Sequence, residues 1–170
     1  MDELTEAGWA MQPAPIPPDD IERLVALWDT GLLDTPPAAV FDRITRSVAV
    51  RLRVPMAAVT LVDQHRQWFL SRVGLPMAQT PRDISFCGHA VAQRRPLCVS
   101  DTHVDLRFAG NPLVMGPPYI RAYVAVPLMD EAHHALGTLC AMDNRVRDFS
   151  ANEQQLLQRY ARALQQLILR

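Results

Sequence analysis

Cys87 and His89 stand two residues apart in a chain of 170, and they are the pair best suited to covalent chemistry. A cysteine attacks only as its thiolate, which needs a nearby cation; Arg82 and His89 are the sequence neighbours able to supply one. Cys98 and Cys140 fall in short apolar runs that read as strands, where a thiol most simply serves as a small buried hydrophobe. No Cys-x-x-Cys or His-x-x-x-His spacing is present, so no metal site is expected. His133-His134 sits in a short turn and reads as a solvated pair. Arginine offers another chemistry, because its planar fork matches two oxygens of an anionic ligand. Arg82, Arg107 and Arg121 are the candidates, with Asp83, Asp101 and Asp105 close by in sequence. For Asp105-Leu106-Arg107-Phe108 the simpler reading is a small turn closed by its own ion pair.

Composition limits what these residues can do. The chain has 17 basic and 18 acidic side chains, a net charge of −1, and every basic one is Arg. Without lysine there is no Schiff base, no P-loop and no lysine general base. Near-neutral charge argues against a nucleic-acid partner. No run of 18 apolar residues occurs, so no membrane span is expected, and the acidic start lacks the layout of a secretory signal. Three widely spaced cysteines do not form a secreted disulfide framework, so the expected location is cytoplasmic. At 49% hydrophobic and 21% charged, the chain has the make-up of a single globular domain.

The elements that must hold these side chains follow from pattern. Residues 1–18 end in a proline-rich run and read as a flexible tail, leaving 19–170 as the domain. Asp19 and Glu22 predict a capped helix whose buried face is Ile21, Leu24, Val25 and Trp28, with Gly31 as its stop. Thr35-Pro36 repeats the start signal for a second helix with the stripe Phe41, Ile44, Val48 and Leu52. The period then shortens to two: 56–62 and 67–73 read as a hairpin. A short helix is expected over 86–93 and a short strand over 97–100, while glycine and proline break up 101–119. Strands follow at 120–128 and 136–142. Ser150-Ala151-Asn152-Glu153 is a capping box opening a last helix. Leu157, Tyr160, Leu164 and Leu167 recur on that helix at steps of three and four, a stripe that fits a helical dimer seam or packing on the sheet equally well. The order predicts an α+β fold with a mainly antiparallel sheet.

Several runs in this order resemble the GAF domains of bacterial signalling proteins. They are 32–37 (Leu-Leu-Asp-Thr-Pro-Pro), 41–45, 59–63, Gln67-Trp68-Phe69, 81–87 (Pro-Arg-Asp-Ile-Ser-Phe-Cys), 105–108, 111–114, Val126-Pro127-Leu128 and 136–140 (Leu-Gly-Thr-Leu-Cys). The resemblance spans about residues 20–168. It implies a central antiparallel sheet of five or six strands, terminal helices on one face, and loops with short helices closing a pocket on the other. It further implies a partner output domain, such as a histidine kinase or a domain that makes or degrades cyclic di-GMP; none fits within this chain. Pocket loops in such domains correspond to 82–90 and 101–123 here. Arg82, Phe86, Cys87, His89, Asp101, Arg107, Phe108, Tyr119, Arg121 and Tyr123 are therefore the candidate ligand-binding residues, although the aromatic ones also suit simple core packing.

Three activities known among GAF relatives can be compared with the letters. Free methionine sulfoxide reductases resemble this chain at Cys87-Gly88, but their attacking cysteine lies in a loop matching 111–123, which holds none. Bilin-binding relatives place Cys and His side by side, whereas Gly88 intervenes here. The cyclic-nucleotide signature of phosphodiesterase GAF domains includes a lysine that this chain lacks. The expectation is a non-catalytic sensory domain that takes an unidentified small molecule, dimerises through its terminal helices, or does both. The alternative is a thiol-based redox sensor or a methionine-sulfoxide-reductase-like enzyme centred on Cys87.

Overall fold

A computed structural model describes residues 11–169. Its frame is one six-stranded antiparallel sheet in the order β3-β2-β1-β6-β5-β4. In chain order the elements are α1 (Asp20–Asp29), α2 (Ala39–Leu52), β1 (Met56–Val62), β2 (Arg66–Val73), β3 (Gln79–Pro81), α3 (Phe86–Gln93) and β4 (Leu97–Val99). A single 3₁₀ turn (Thr102–Val104) follows, then α4 (Pro112–Met115), β5 (Ala122–Met129), β6 (Ala135–Asp143) and α5 (Ala151–Ile168). This is the α+β architecture that the motifs imply.

Alternation along the strands divides the interior into two cores. Ala57, Val59, Leu61, Val124, Leu139 and Ala141 face α1, α2 and α5 and pack with Leu27, Val48, Leu157 and Leu164. Met56, Ala58, Val62, Tyr123, Ala125, Cys140 and Met142 face the other way, against α3 and the 101–120 region. Because both faces are covered, every residue of β1 and β6 is buried. Backbone approach is close at Gly137: a Cβ there would sit 1.8 Å from the Thr60 carbonyl oxygen, so any side chain would push β1 and β6 apart.

Local signals explain most boundaries. Ser150 and Glu153 form the reciprocal capping box at the start of α5, and Ser85 caps α3 by accepting from the Gly88 amide. Two expected caps are absent. Asp19 makes no cap hydrogen bond and pairs instead with Arg94. Thr35 donates to the Leu32 carbonyl, and α2 begins later, with Ala38 as its cap residue. On α1 the expected face is corrected as well. Leu24 and Leu27 are buried with Arg23, while Ile21, Val25 and Trp28 are exposed.

The expected tail is also corrected where the structure describes it. Residues 11–18 lie against the body: Gln12 N–H donates to the Arg107 carbonyl, Ala14 N–H donates to that of Asp83, and Ala14 is buried over Gly88. Residues 1–10 lie outside the described residues. The proposed dimer seam divides too. Leu157 and Leu164 are fully buried in the chain's own core, and Tyr160 and Leu167 pack partly against it, so the stripe is a sheet-packing face. Leu164→Ala is expected to destabilise the fold by about 2–5 kcal/mol, as for other buried leucines. Urea unfolding with light scattering checks this: lower stability with unchanged mass in solution is the expected result.

Candidate functional site

The three candidate arginines all turn inward to carboxylates of the same chain. Arg82 makes a two-pronged contact with Asp20, Nη1 to Oδ2 and Nη2 to Oδ1, both at 2.8 Å. Asp20 Oδ1 also accepts from Arg23 Nε at 2.8 Å, so one carboxylate serves two buried guanidinium groups. Burial opposes ionisation of Asp20, but the hydrogen bonds and charges of Arg82 and Arg23 prevail and hold its carboxyl below the usual range. Arg23 also reaches the Ala135 carbonyl, tying α1 to the start of β6. Arg107 holds Asp105 through Nε and Nη2, at 3.0 and 2.7 Å, the turn-closing pair anticipated from its spacing. Arg121 bonds Asp101 at 3.1 Å, and Asp101 also accepts from the His103 amide. Tyr119 is exposed, with a positive φ of 58°. The candidates therefore do not converge on one anion-binding cleft.

The aromatic candidates do come together. Phe86 stacks on Phe108 with ring centres 4.2 Å apart and tilts against Tyr123 at 5.0 Å. His89 meets the edge of Phe108, and its Nε2 lies 3.1 Å from the Gln12 carbonyl. Burial lowers the His89 pKa, so a neutral ring donating Nε2–H to Gln12 fits the site. Between these rings and the sheet a cavity of about 20 Å³ remains, lined among others by Phe69, Leu75, Phe86, Leu113, Tyr123 and both Cys87 and Cys140. That is room for about one water.

Cys87 lies on the floor of this cavity at the first turn of α3. Its sulfur is 2.7 Å from Tyr123 Oη and accepts from Thr138 Oγ1 at 3.0 Å. Thr138 stands directly opposite Thr60 in the β1–β6 register, and their hydroxyls are 3.0 Å apart. Burial pushes the Cys87 thiol up, but hydrogen bonds from Cys140, Thr138, Thr60 and Tyr123 outweigh it and bring the pKa down to about 7. Its neighbour Cys140 is raised, because Cys87 holds the shared proton on it and burial disfavours a second anion. The cation anticipated beside Cys87 is absent from this arrangement: Arg82 is engaged by Asp20 and His89 by Gln12. Cys140 is buried as expected, whereas Cys98 is exposed, contrary to its reading as a buried hydrophobe.

Sequence reasoning missed Asp20, Arg23, Thr60 and Thr138. Their only sequence signal was a polar side chain inside an apolar period, and their partners lie up to 112 positions away.

A family model for the GAF domain matches residues 36–168. The chain belongs to the GAF domain family. The chain is 34% identical over 153 residues to a cyclic di-GMP phosphodiesterase of Pseudomonas aeruginosa. The match covers 89% of this chain but 26% of that protein, so the chain spans about a quarter of its relative's length. Among solved structures, the GAF domain of an Acinetobacter phosphoenolpyruvate-protein phosphotransferase superposes with a TM-score of 0.66 at 18% identity, covering 89% of this chain and 93% of that one. A type II free methionine-R-sulfoxide reductase from Thermoplasma acidophilum gives 0.65 at 11% identity, over 76% and 90%. At such identities these structures share the GAF fold with this chain, and the fold hosts more than one activity.

The Asp20 junction yields a pH-dependent expectation. Asp20→Asn removes the only carboxylate bonded to Arg23 and Arg82 among the described residues, and is expected to cost about 3 kcal/mol at neutral pH. Because the folded-state pKa of Asp20 is lowered from 3.8, its contribution is fully present above that value and fades as pH falls below it. Urea titrations of both proteins at about pH 7 and about pH 3 check this; the stability gap should shrink at the lower pH.

Proposed function

We propose that the chain is a non-catalytic sensory GAF domain that passes a signal to an output domain or partner protein. The observation that carries this reading is the single sheet between two cores. The α3 face, with its cavity, and the terminal-helix face are opposite sides of the same strands. Any rearrangement that shifts β5 or β6 on the α3 side must also move the surface on which α5 rests, because packed interiors respond in discrete steps rather than by smooth deformation. The Pseudomonas relative named as a cyclic di-GMP phosphodiesterase supports an output of that class, and this reading places the chain in the cytoplasm.

The cavity fits a small-molecule role only through a second conformation. About 20 Å³ holds no nucleotide or bilin. A ligand would act by selecting an opened arrangement of residues 101–123, and its apparent affinity would be reduced by the scarcity of that state. Self-association through the terminal helices would use Ile21, Val25 and Trp28 of α1, with Leu169 beyond α5, since these are large apolar side chains exposed on α1 and at the end of α5.

A chimera tests the relay. This chain replaces the matching segment of the Pseudomonas phosphodiesterase, and Leu113→Trp is added to overfill the cavity, at a cost of about 1–3 kcal/mol. Cyclic di-GMP hydrolysis by the folded chimera should change several-fold with the substitution. An unchanged rate, with the thermal midpoint showing the domain folded, would reject the relay.

A further inference from the structure

Two hydroxyls, of Thr138 and Tyr123, lie within 3.0 Å of the Cys87 sulfur. Thr138 N–H donates to Thr60 Oγ1, the Thr60 and Thr138 hydroxyls share a hydrogen bond, and Thr138 Oγ1–H ends on the Cys87 sulfur. Tyr123 keeps its proton, its ionisation being suppressed by burial and by the nearby sulfurs, so its hydroxyl, 2.7 Å from the sulfur, is able to donate to a Cys87 thiolate. One hydroxyl donor and a second hydroxyl able to donate, converging on one sulfur, suit a thiolate, built here from neutral groups instead of a cation. Cys140, the buried thiol that lines the same cavity, directs its proton to the Ala58 carbonyl at 3.6 Å.

A second, independent observation concerns Gln67, which lines the same cavity. Its Nε2 donates to Thr80, while its Oε1 is buried without a hydrogen-bond partner. Such an orphaned acceptor just behind the apolar wall of a cavity calls for a small donor. The space available, about 20 Å³, admits a molecule little larger than water.

We propose that Cys87 and Cys140 form a buried dithiol that hydrogen peroxide enters through this cavity to oxidise, with Gln67 Oε1 accepting a hydrogen bond from the peroxide. The Cys87 thiolate attacks one peroxide oxygen, forming an S–O bond as the O–O bond breaks. The second oxygen leaves as hydroxide and takes a proton from solvent, giving water and a sulfenic acid. The Cys140 sulfur then attacks Cys87, an S–S bond replaces the S–O bond, and the departing hydroxyl leaves as water with the Cys140 proton. The two sulfurs together lose two electrons and the peroxide oxygens gain them. The disulfide would join α3 to β6, drawing the pocket layer onto the sheet. This chemistry stands independently of the relay and would supply it with an input.

The test uses the reduced 170-residue chain treated with hydrogen peroxide, quenched by alkylation and weighed intact and after proteolysis. The expected product is a Cys87–Cys140 cross-linked peptide pair with Cys98 still alkylated. Bulky cumene hydroperoxide should be at least tenfold slower, and Cys140→Ala should stop at a sulfenic acid on Cys87 that dimedone traps. Thr138→Val should slow the hydrogen peroxide reaction about tenfold, the effect of one lost hydrogen bond to an anion. Oxidation of exposed Cys98 while Cys87 and Cys140 remain free thiols would overturn the proposal. So would equal rates with the two peroxides, which would show that the cavity does not select. Should Cys140→Ala fail to fold, the cross-link and the peroxide comparison in the wild-type chain decide the matter alone.

Discussion

The antiparallel pairing of β1 with β6 is the constraint on which the rest of this GAF domain depends. Both strands are buried along their whole length, so each of their side chains belongs to one of two cores and none can be left polar without a partner. Thr60 and Thr138 meet this condition by facing each other across the ladder on the α3 side, and the hydroxyl pair they form then governs the Cys87 sulfur. The neighbouring residue, Gly137, has no Cβ because the Thr60 carbonyl occupies that space. The site chemistry is thus a consequence of how two central strands are allowed to meet.

The same economy governs charge at the edge of the sheet. Asp20 joins two buried arginines, one from its own helix and one from the loop before α3, and so couples the terminal-helix layer to the pocket layer around the end of the sheet. The extended residues 12–14 cross nearby, hydrogen-bonded to Asp83 and Arg107. Side chains that a sequence reader would offer to an anionic ligand are held in place by carboxylates of the protein itself.

Elements with local signals were legible in the sequence. The span of α3, the β1–β2 hairpin and the capping box of α5 all follow from period and cap residues a few positions apart, and the Asp105–Arg107 turn follows from a two-residue spacing. What was not legible depended on distant partners. The burial of α1 was misjudged because Arg23, buried through Asp20 and the Ala135 carbonyl, takes a place that the pattern would assign to an apolar residue. The docking of residues 11–18 rests largely on backbone hydrogen bonds, which leave no trace in side-chain identity. β3 is three residues long and carries no period. At the site, Phe86, Phe108 and Tyr123 were readable as core, whereas the ring of donors around Cys87 was assembled by strand register.

The pocket face of this domain is closed by its own side chains, leaving space for about one small molecule the size of water. Native mass spectrometry of the freshly purified chain, compared with its denatured mass, tests this most directly. The two masses should agree per chain, with no retained organic ligand. A reproducible excess of several hundred daltons, lost on denaturation, would show a pocket already open and occupied, and would contradict it.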